Sequence, residues 1–322
     1  MENAKIVCTG PVDDIAVEIL RPYGEIVIAP VFEEEALLSL VGSAIGLVVR
    51  GAEGSVNARV INAATDLRVI GRSGVGYDNV DINAATARKI PVVYTPGVNA
   101  RAIAEAAMAL IFTLCKKVVF WDAQLKLGNW SSRFRNQPGD LDGATLGIIG
   151  FGRIGQMLAQ LIRPFNVTIL AYDPYVSHEQ ANELETELVN LESLLQRSDF
   201  ISIHAALTPE TQGLINRDRL QHLKQGAYIV NLARGGLIES LDVLYESLKS
   251  GRLGGVGLDV FQPEPPDVSH PIFQLPQCIT SPHALGLTPQ AMTKIFESMA
   301  TDMAAILDGK PPRHVVNPEV LG

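Results

Sequence analysis

Six consecutive residues, G-F-G-R-I-G at positions 150–155, have the types and spacing of an anion-binding turn. They follow the apolar run T-L-G-I-I and open a helix-like stretch in which Ala159 allows close packing. In such a turn Gly150 permits the tight bend, Gly152 lets the backbone approach a pyrophosphate, and Gly155 lets helix and strand pack. The anion would rest on the free amide groups at the helix N-terminus. A second run, V-T-I-L-A-Y, ends in Asp173, 18 residues after Gly155, where a carboxylate can bind both ribose hydroxyls of an adenosine. The context of strand, glycines, helix, strand and acid predicts dinucleotide binding over the plainer alternative, a tight turn followed by a surface Asp. Asp173 would repel a 2′-phosphate, and Pro174 and Tyr175 offer no arginine to neutralise one, so NAD is expected rather than NADP.

Further along, polar residues stand just after apolar runs. Arg234 lies in N-L-A-R-G-G at 231–236, Asp259 and Glu264 in G-L-D-V-F-Q-P-E-P at 257–265, and His283 in S-P-H-A-L-G at 281–286. Oxidising a secondary alcohol needs a base for the hydroxyl proton, and reduction needs the same group as an acid. Histidine suits both, its unperturbed pKa lying near 6.5. An arginine fork suits a substrate carboxylate and can polarise a carbonyl oxygen. Taken singly, each has an ordinary reading as a loop or turn residue.

These residues need elements to hold them. Ile6–Thr9, Glu25–Ala29, Gly46–Val49, Arg68–Ile70 and Val92–Tyr94 read as strands, with helix-like spacing over Val12–Leu20 and Glu33–Leu40 and an N-cap Asp opening Asp81–Arg88. The rhythm restarts at Thr145–Ile149 and continues through Thr168–Ala171, Phe200–His204, Tyr228–Asn231 and Val256–Leu258. Alternation of this length predicts an α/β chain with two doubly wound parallel sheets, covered on both faces. Two long helical segments, Asn99–Leu127 and Thr288–Leu307, stand at the joints. In sheets of this kind the carboxyl ends of the strands line the ligand crevice, so the loops bearing Arg234, Asp259 and His283 are expected to face the cofactor.

At this point the chain resembles the D-isomer-specific 2-hydroxyacid dehydrogenases. The resemblance covers nearly all of it: G-R-S-G-V-G-Y-D-N-V-D at 71–81, T-P-G-V-N-A at 95–100, the glycine motif, and the three catalytic loops in family order. It implies a discontinuous first domain, residues 1–98 with 287–322, that binds substrate, and a Rossmann-type dinucleotide-binding domain over 99–286. It implies that Glu264 is the partner of His283, an adjacent carboxylate raising a histidine's pKa and fixing its ring. Arg234 is then the third catalytic residue and also binds substrate, and Asp259 hydrogen-bonds the nicotinamide carboxamide. Val75, Arg153, Ile154, Ala205, Leu232 and Gly286 match cofactor-contacting positions, largely through their backbones. Ser73, Gly74, Val75 and Gly76 match the loop whose amides hold the substrate carboxylate. Ala106 and Ala206 stand where many relatives carry histidine and proline.

The resemblance further implies hydride transfer between NAD and a small 2-hydroxy or 2-keto acid. Phosphoglycerate is the first substrate expected, hydroxypyruvate or glyoxylate the next; an NAD(H)-sensing corepressor-like protein is the alternative of a different class. Arg50, Arg72, Arg133 and Arg135 are candidate cations for a phosphate. Glu264 speaks against a formate dehydrogenase, a branch with glutamine there. A homodimer, or a dimer of dimers, is expected through Asn99–Trp130.

Composition narrows the rest. The 322 residues are 47% apolar and 19% charged, the make-up of a folded protein with about two domains. A formal charge of −9 lacks the basic footprint of a nucleic-acid binder. The most apolar stretch, 102–121, is broken by Glu105, Lys116 and Lys117, so no membrane span is expected. Cys8, Cys115 and Cys278 are far apart and odd in number, which fits a reducing compartment and no cysteine-ligated metal. His178, His204, His222, His270 and His314 read as structural, without metal-ligand spacing. The start M-E-N-A-K-I-V-C has no signal-peptide character, so a cytoplasmic protein is expected. Only a short segment follows the last long helix, so a C-terminal regulatory domain is not expected.

Overall fold

The computed structural model describes residues 4–51 and 54–322, which fall into two compact units: residues 1–99 with 287–322, and residues 100–286. The first unit holds five parallel strands, β1 (Lys5–Cys8), β2 (Glu25–Ile28), β3 (Ala44–Arg50), β4 (Val69–Ser73) and β5 (Val92–Val93). Their order is β2-β1-β3-β4-β5, that of a flavodoxin-like sheet. Side chains alternate faces along a strand, and both faces are buried. Ile6, Cys8, Val48 and Val69 pack with Phe296, Met299 and Met303 of the helix Pro289–Leu307. Val7, Leu47, Val49 and Ile70 pack on the other side with Val60 and Ile61. Asp81 caps the helix Ile82–Ala87 by accepting from the Ala84 amide, and Thr288 caps Pro289–Leu307 in the same way. The edge strand β5 is closed by buried Asn317, whose Oδ1 accepts from the Val92 amide at 2.8 Å.

The second unit holds seven parallel strands: β6 (Thr145–Ile149), β7 (Thr168–Tyr172), β8 (Glu187–Leu188), β9 (Phe200–Ile203), β10 (Ala227–Asn231), β11 (Leu253–Leu258) and β12 (Cys278–Thr280). The order β12-β11-β10-β9-β6-β7-β8 reverses between β6 and β9, which makes that junction the topological switch point. The fold is therefore two doubly wound parallel sheets, as the alternating pattern predicts.

Two details depart from the sequence reading. The segment 99–127 is not one helix but two, Ala100–Cys115 and Val118–Lys126. Lys117 breaks it with a left-handed φ of 53°. The Cys115 carbonyl is taken by the Gly139 amide, and Lys116 and Lys117 turn to Asp140 and Asn136. The first helix buries a full face, including Leu110, Ile111 and Leu114, whereas the second buries none of its residues. The two-residue strand β8 was also not expected; it is too short to show a period. Among the described residues no helix is long and apolar enough to cross a membrane.

Candidate active site

The carboxyl edge of the second sheet collects most of the predicted residues. After β6 the chain turns at Gly150, with φ of +90°. A side-chain carbon there would lie 2.5 Å from the Ala205 amide nitrogen, because the loop after β9 crosses directly over the turn. A side-chain carbon at Gly155 would run into the Gly150 carbonyl, so the helix Arg153–Ile162 seats on the turn only through glycine. Gly152 is different. It is the N-cap of that helix, and a side-chain carbon there would meet nothing within 4 Å. Open space thus fronts a helix N-terminus whose first amides lack partners within the helix. This cradle fits a pyrophosphate.

Asp173 follows β7. Its Oδ2 accepts from the Phe151 amide at 2.8 Å and its Oδ1 from the Tyr175 amide at 2.9 Å. The carboxylate therefore braces the glycine turn from behind, and each oxygen keeps a further lone pair for a ribose hydroxyl. The donor set fits the adenosine half of a dinucleotide. Leu232 is buried, so it can offer a cofactor little beyond its backbone, and Gly286 is likewise buried.

On the same edge His283 Nδ1 lies 2.9 Å from Glu264 Oε2, with side chains 38% and 26% exposed. Glu264 Oε1 accepts from the Phe261 amide at 2.9 Å, so both carboxylate oxygens are engaged. Burial pushes the Glu264 carboxyl up, yet the His283 and Phe261 hydrogen bonds, with the charges of His283 and Arg234, outweigh it and hold the carboxyl below its usual range. With Nδ1 committed to Glu264, the Nε2 of His283 is the nitrogen left to handle a proton. Arg234 follows β10 in a turn fixed by Asn231, whose Nδ2 donates to the Arg234 carbonyl and whose Oδ1 accepts from the Ala233 amide. Arg234 itself donates from Nη1 to the Ala233 carbonyl at 2.8 Å.

Asp259, after β11, is 1% exposed. Its Oδ1 accepts from Ser281 Oγ at 2.6 Å and from the Ala284 amide at 2.9 Å; the Leu285 amide sits 3.3 Å from Oδ2. Sequence reading did not find these bonds, nor the part played by Asn231. His204, which ends the run after β9, is also at this edge. Its Nε2 is 2.8 Å from Ser202 Oγ, and burial pushes its pKa down to about 4, so it is neutral near pH 7 and has no carboxylate partner among the described residues. Of the two edge histidines, only His283 has the pairing of a proton carrier. Among the described residues no cluster of His, Cys, Asp and Glu could hold a metal ion.

In the first unit, Arg50 ends β3 beside Ser73 at the end of β4, their positions being register partners. Arg50 is exposed and Ser73 is buried, its Oγ donating to the Val49 carbonyl at 3.2 Å. Gly74 has φ of +143°, and Val75 is 40% exposed. Arg72 corrects the set of phosphate candidates: it is buried, and its guanidinium donates to the Ser73 and Gly51 carbonyls. Arg133, in the second unit, stacks over the Trp130 and Phe134 rings.

A glycine turn at the switch point, a braced acidic residue and a His–Glu pair on one sheet edge define a dinucleotide-binding protein of the doubly wound class. Residues 108–284 match the family model described as D-isomer specific 2-hydroxyacid dehydrogenase, NAD binding domain. The chain belongs to the D-isomer specific 2-hydroxyacid dehydrogenase family and carries its NAD-binding domain. It is 37% identical over 314 residues to the D-3-phosphoglycerate dehydrogenase of Archaeoglobus fulgidus, a match covering 97% of this chain and 59% of that protein. It is 38% identical over 275 residues to the glyoxylate reductase of Thermofilum pendens, covering 83% of this chain and 79% of that one. Among solved structures it superposes on the TT0316 protein from Thermus thermophilus with a TM-score of 0.89 and 33% identity, covering 97% and 99% of the two chains. The chain spans about three-fifths of the length of the Archaeoglobus relative.

Proposed function

We propose that this chain is an NAD-dependent oxidoreductase acting on the CH–OH group of a small D-2-hydroxy acid, with D-3-phosphoglycerate as its substrate. The observation that carries the reading is the 2.9 Å bond between His283 and Glu264 on the carboxyl edge of the NAD-binding unit, within the electrostatic reach of Arg234. When bound, NAD supplies the hydride acceptor at C4 of its nicotinamide. His283 takes the hydroxyl proton at Nε2, while Glu264 fixes the ring through Nδ1 and offsets the imidazolium charge. Arg234 offers a planar fork to the substrate carboxylate and polarises the oxygen at C2. The turn at 150–155 holds the pyrophosphate and Asp173 the ribose, which favours NAD(H) over NADP(H). The first unit is the substrate-binding domain in this reading, with Ser73–Gly76 as its carboxylate loop and Arg50 as a cation for phosphate.

A second substrate reading, hydroxypyruvate or glyoxylate, draws on the fuller coverage of the Thermofilum glyoxylate reductase, 79% against 59% for the Archaeoglobus protein. An NADH assay with 3-phosphohydroxypyruvate, hydroxypyruvate and glyoxylate, followed by nicotinamide absorbance, separates them. The expected result is a kcat/KM at least about tenfold higher for the phosphorylated keto acid, a difference of about 1.4 kcal/mol. No turnover near 1 per second or faster with any of the three would favour an NAD(H)-sensing binding protein. A homodimer is part of the proposal: Leu127, Trp130 and Phe134 are 78%, 66% and 73% exposed on the arm that follows the first long helix. Light scattering at micromolar concentrations tests it, a monomer mass overturning it. A cytoplasmic location completes the reading.

A further inference from the structure

The amides of the turn at 73–76 suit a carboxylate, but every 2-keto acid carries one, so they do not distinguish one acid from another. Discrimination at C3 needs side chains. Those at the start of the turn are committed: Ser73 Oγ donates to the Val49 carbonyl, and the Arg72 guanidinium to the Ser73 and Gly51 carbonyls. Arg50 leans to the β1 side of the edge, where a side-chain carbon at Gly10 would lie 3.5 Å from its Cδ. On the opposite, β5 side stand Tyr77 and Tyr94. Their rings meet edge to face, with centroids 5.7 Å apart and planes at 87°. Tyr77 is 39% exposed and Tyr94 is half-buried; neither hydroxyl has a hydrogen-bond partner among the described residues. Both are tied to the turn. Gly71 of β4 and Val93 of β5 are register partners, and just beyond Tyr94 the Thr95 amide donates to the Gly74 carbonyl at 3.1 Å. Tyr77 follows Gly76 directly, and its carbonyl accepts from the amide of buried Val80 at 3.0 Å. A free hydroxyl on a braced ring is a donor whose ordering cost is already met.

We propose that Tyr77 reads the oxygen on C3 of the substrate, its hydroxyl donating to a phosphate ester or a hydroxyl there, and that Tyr94 is a positioning residue that holds the Tyr77 ring. The inference deepens the proposed function and rests on the turn at 73–76 being the carboxylate loop. C3 is two bonds from the carboxylate carbon, so a group that reads it must flank that loop, as Tyr77 does. A hydrogen bond to an ionised phosphate is stronger than one to a neutral hydroxyl, so the phosphorylated acid gains most. Pyruvate carries only a methyl group at C3 and glyoxylate has no C3, so neither offers Tyr77 an acceptor.

The test measures kcat and KM with NADH for 3-phosphohydroxypyruvate, hydroxypyruvate, pyruvate and glyoxylate. It compares Tyr77→Phe, Tyr94→Leu and Tyr94→Phe with the unchanged protein, and thermal melts check that each variant folds. Tyr77→Phe keeps the ring pair and removes only the hydroxyl. The preference in kcat/KM over pyruvate is expected to fall about tenfold for 3-phosphohydroxypyruvate and about threefold for hydroxypyruvate, mainly through KM. Tyr94→Leu should erode the same preference about threefold although the Tyr77 hydroxyl is still present, and Tyr94→Phe, which restores the ring, should recover it. A merely structural role would change all four acids alike, glyoxylate included. An equal change on all four acids in Tyr77→Phe, or no change on any, overturns the inference. So does an unchanged protein that prefers neither C3-oxygenated acid to pyruvate. Tyr94→Leu keeping the full preference removes Tyr94 from it. If the unchanged protein turns over none of the four, the proposed function itself falls, a result distinct from the others.

Discussion

The molecule has two glycine turns at the carboxyl edges of its two parallel sheets, and they are built for different work. The turn at 150–155 lies at the switch point of the second sheet, and the helix Arg153–Ile162 starts directly from Gly152. The turn at 73–76 follows β4, away from the reversal in strand order of the first sheet, and the next helix begins only at Ile82. The first turn therefore aims a helix N-terminus and its partial positive charge at open space. The second has no helix behind it and offers backbone groups alone. Its Gly74 is required for another reason: a side chain there would strike the buried Arg72 guanidinium, which is bonded to Ser73 and Gly51. Similar glycines on similar sheets thus mark a dinucleotide cradle in one unit and a self-braced loop in the other, which is why the fold alone does not name the ligand.

The largest effect that tests this division belongs to the second unit. His283→Ala should lower kcat by about 100-fold to 10,000-fold, the usual contribution of general acid–base catalysis. ADP-ribose affinity should stay within about twofold, because the pyrophosphate and ribose groups bind elsewhere on the edge. Ser73→Ala, in the first unit, removes one hydrogen bond to the Val49 carbonyl and should change KM more than kcat. Steady-state kinetics on both variants would break the comparison if the two residues behaved alike.

Next in size is the cradle itself. Gly152 has ordinary φ and free space in front of it, so Gly152→Val can fold, but its side chain would occupy the anion's place. NADH affinity is expected to fall at least about tenfold, or about 1.4 kcal/mol, with little change in Tm. Gly74→Ala should do the reverse, lowering Tm through strain and leaving NADH affinity alone. Fluorescence titration and thermal melts on both proteins check the contrast.

Much of this was legible because the signals are local. The cradle announces itself by three glycines between an apolar run and a helix, and Asp173 by its distance along the chain. Short apolar runs located the strands other than β8, since a strand buried on both faces is written as one continuous apolar stretch. What stayed hidden depends on residues far apart in sequence. Asp259 and Ser281 are 22 positions apart, and nothing local says that one carboxylate supports the turn around His283. Arg72 looks like a substrate cation in a glycine-rich loop, yet its guanidinium folds back on the backbone around it. The break at Lys117 was missed because the apolar pattern runs on through two lysines, and what stops the helix is the Gly139 amide arriving from a later loop.

Cofactor choice should respond more modestly. Asp173→Ala is expected to narrow the preference for NAD(H) over NADP(H) by about tenfold, the repulsion of a 2′-phosphate being relieved. The gain is limited because Asp173 also braces the Phe151 amide, so NADH affinity should drop at the same time. Equal kcat/KM for the two cofactors in the unchanged protein would remove the premise.

The smallest rate effect, and the most informative in sign, belongs to Glu264→Gln. Against burial, the hydrogen bonds from His283 and the Phe261 amide, with the charges of His283 and Arg234, hold the Glu264 carboxyl below its usual range, and the Gln variant takes that carboxylate away from the ring. Oxidation needs a neutral imidazole and speeds up as pH rises; reduction needs the imidazolium and slows as pH rises. Losing the carboxylate favours the neutral ring in both cases, so both limbs should move to lower pH, with kcat at its optimum reduced only several-fold, well short of the loss expected when the acid–base group itself is removed. Stability changes with the opposite weighting. A carboxyl depressed in the folded state stabilises it above the ordinary value of 4.5, and that contribution fades as pH falls through the lower folded value. Glu264→Gln should therefore be less stable than the unchanged protein at neutral pH and approach it under acid. Rate profiles in both directions, with melts across the same pH range, read the two signs separately. A profile that stays in place would make Glu264 a purely geometric support, and the His–Glu edge would then differ less in kind from the braced loop of the first unit.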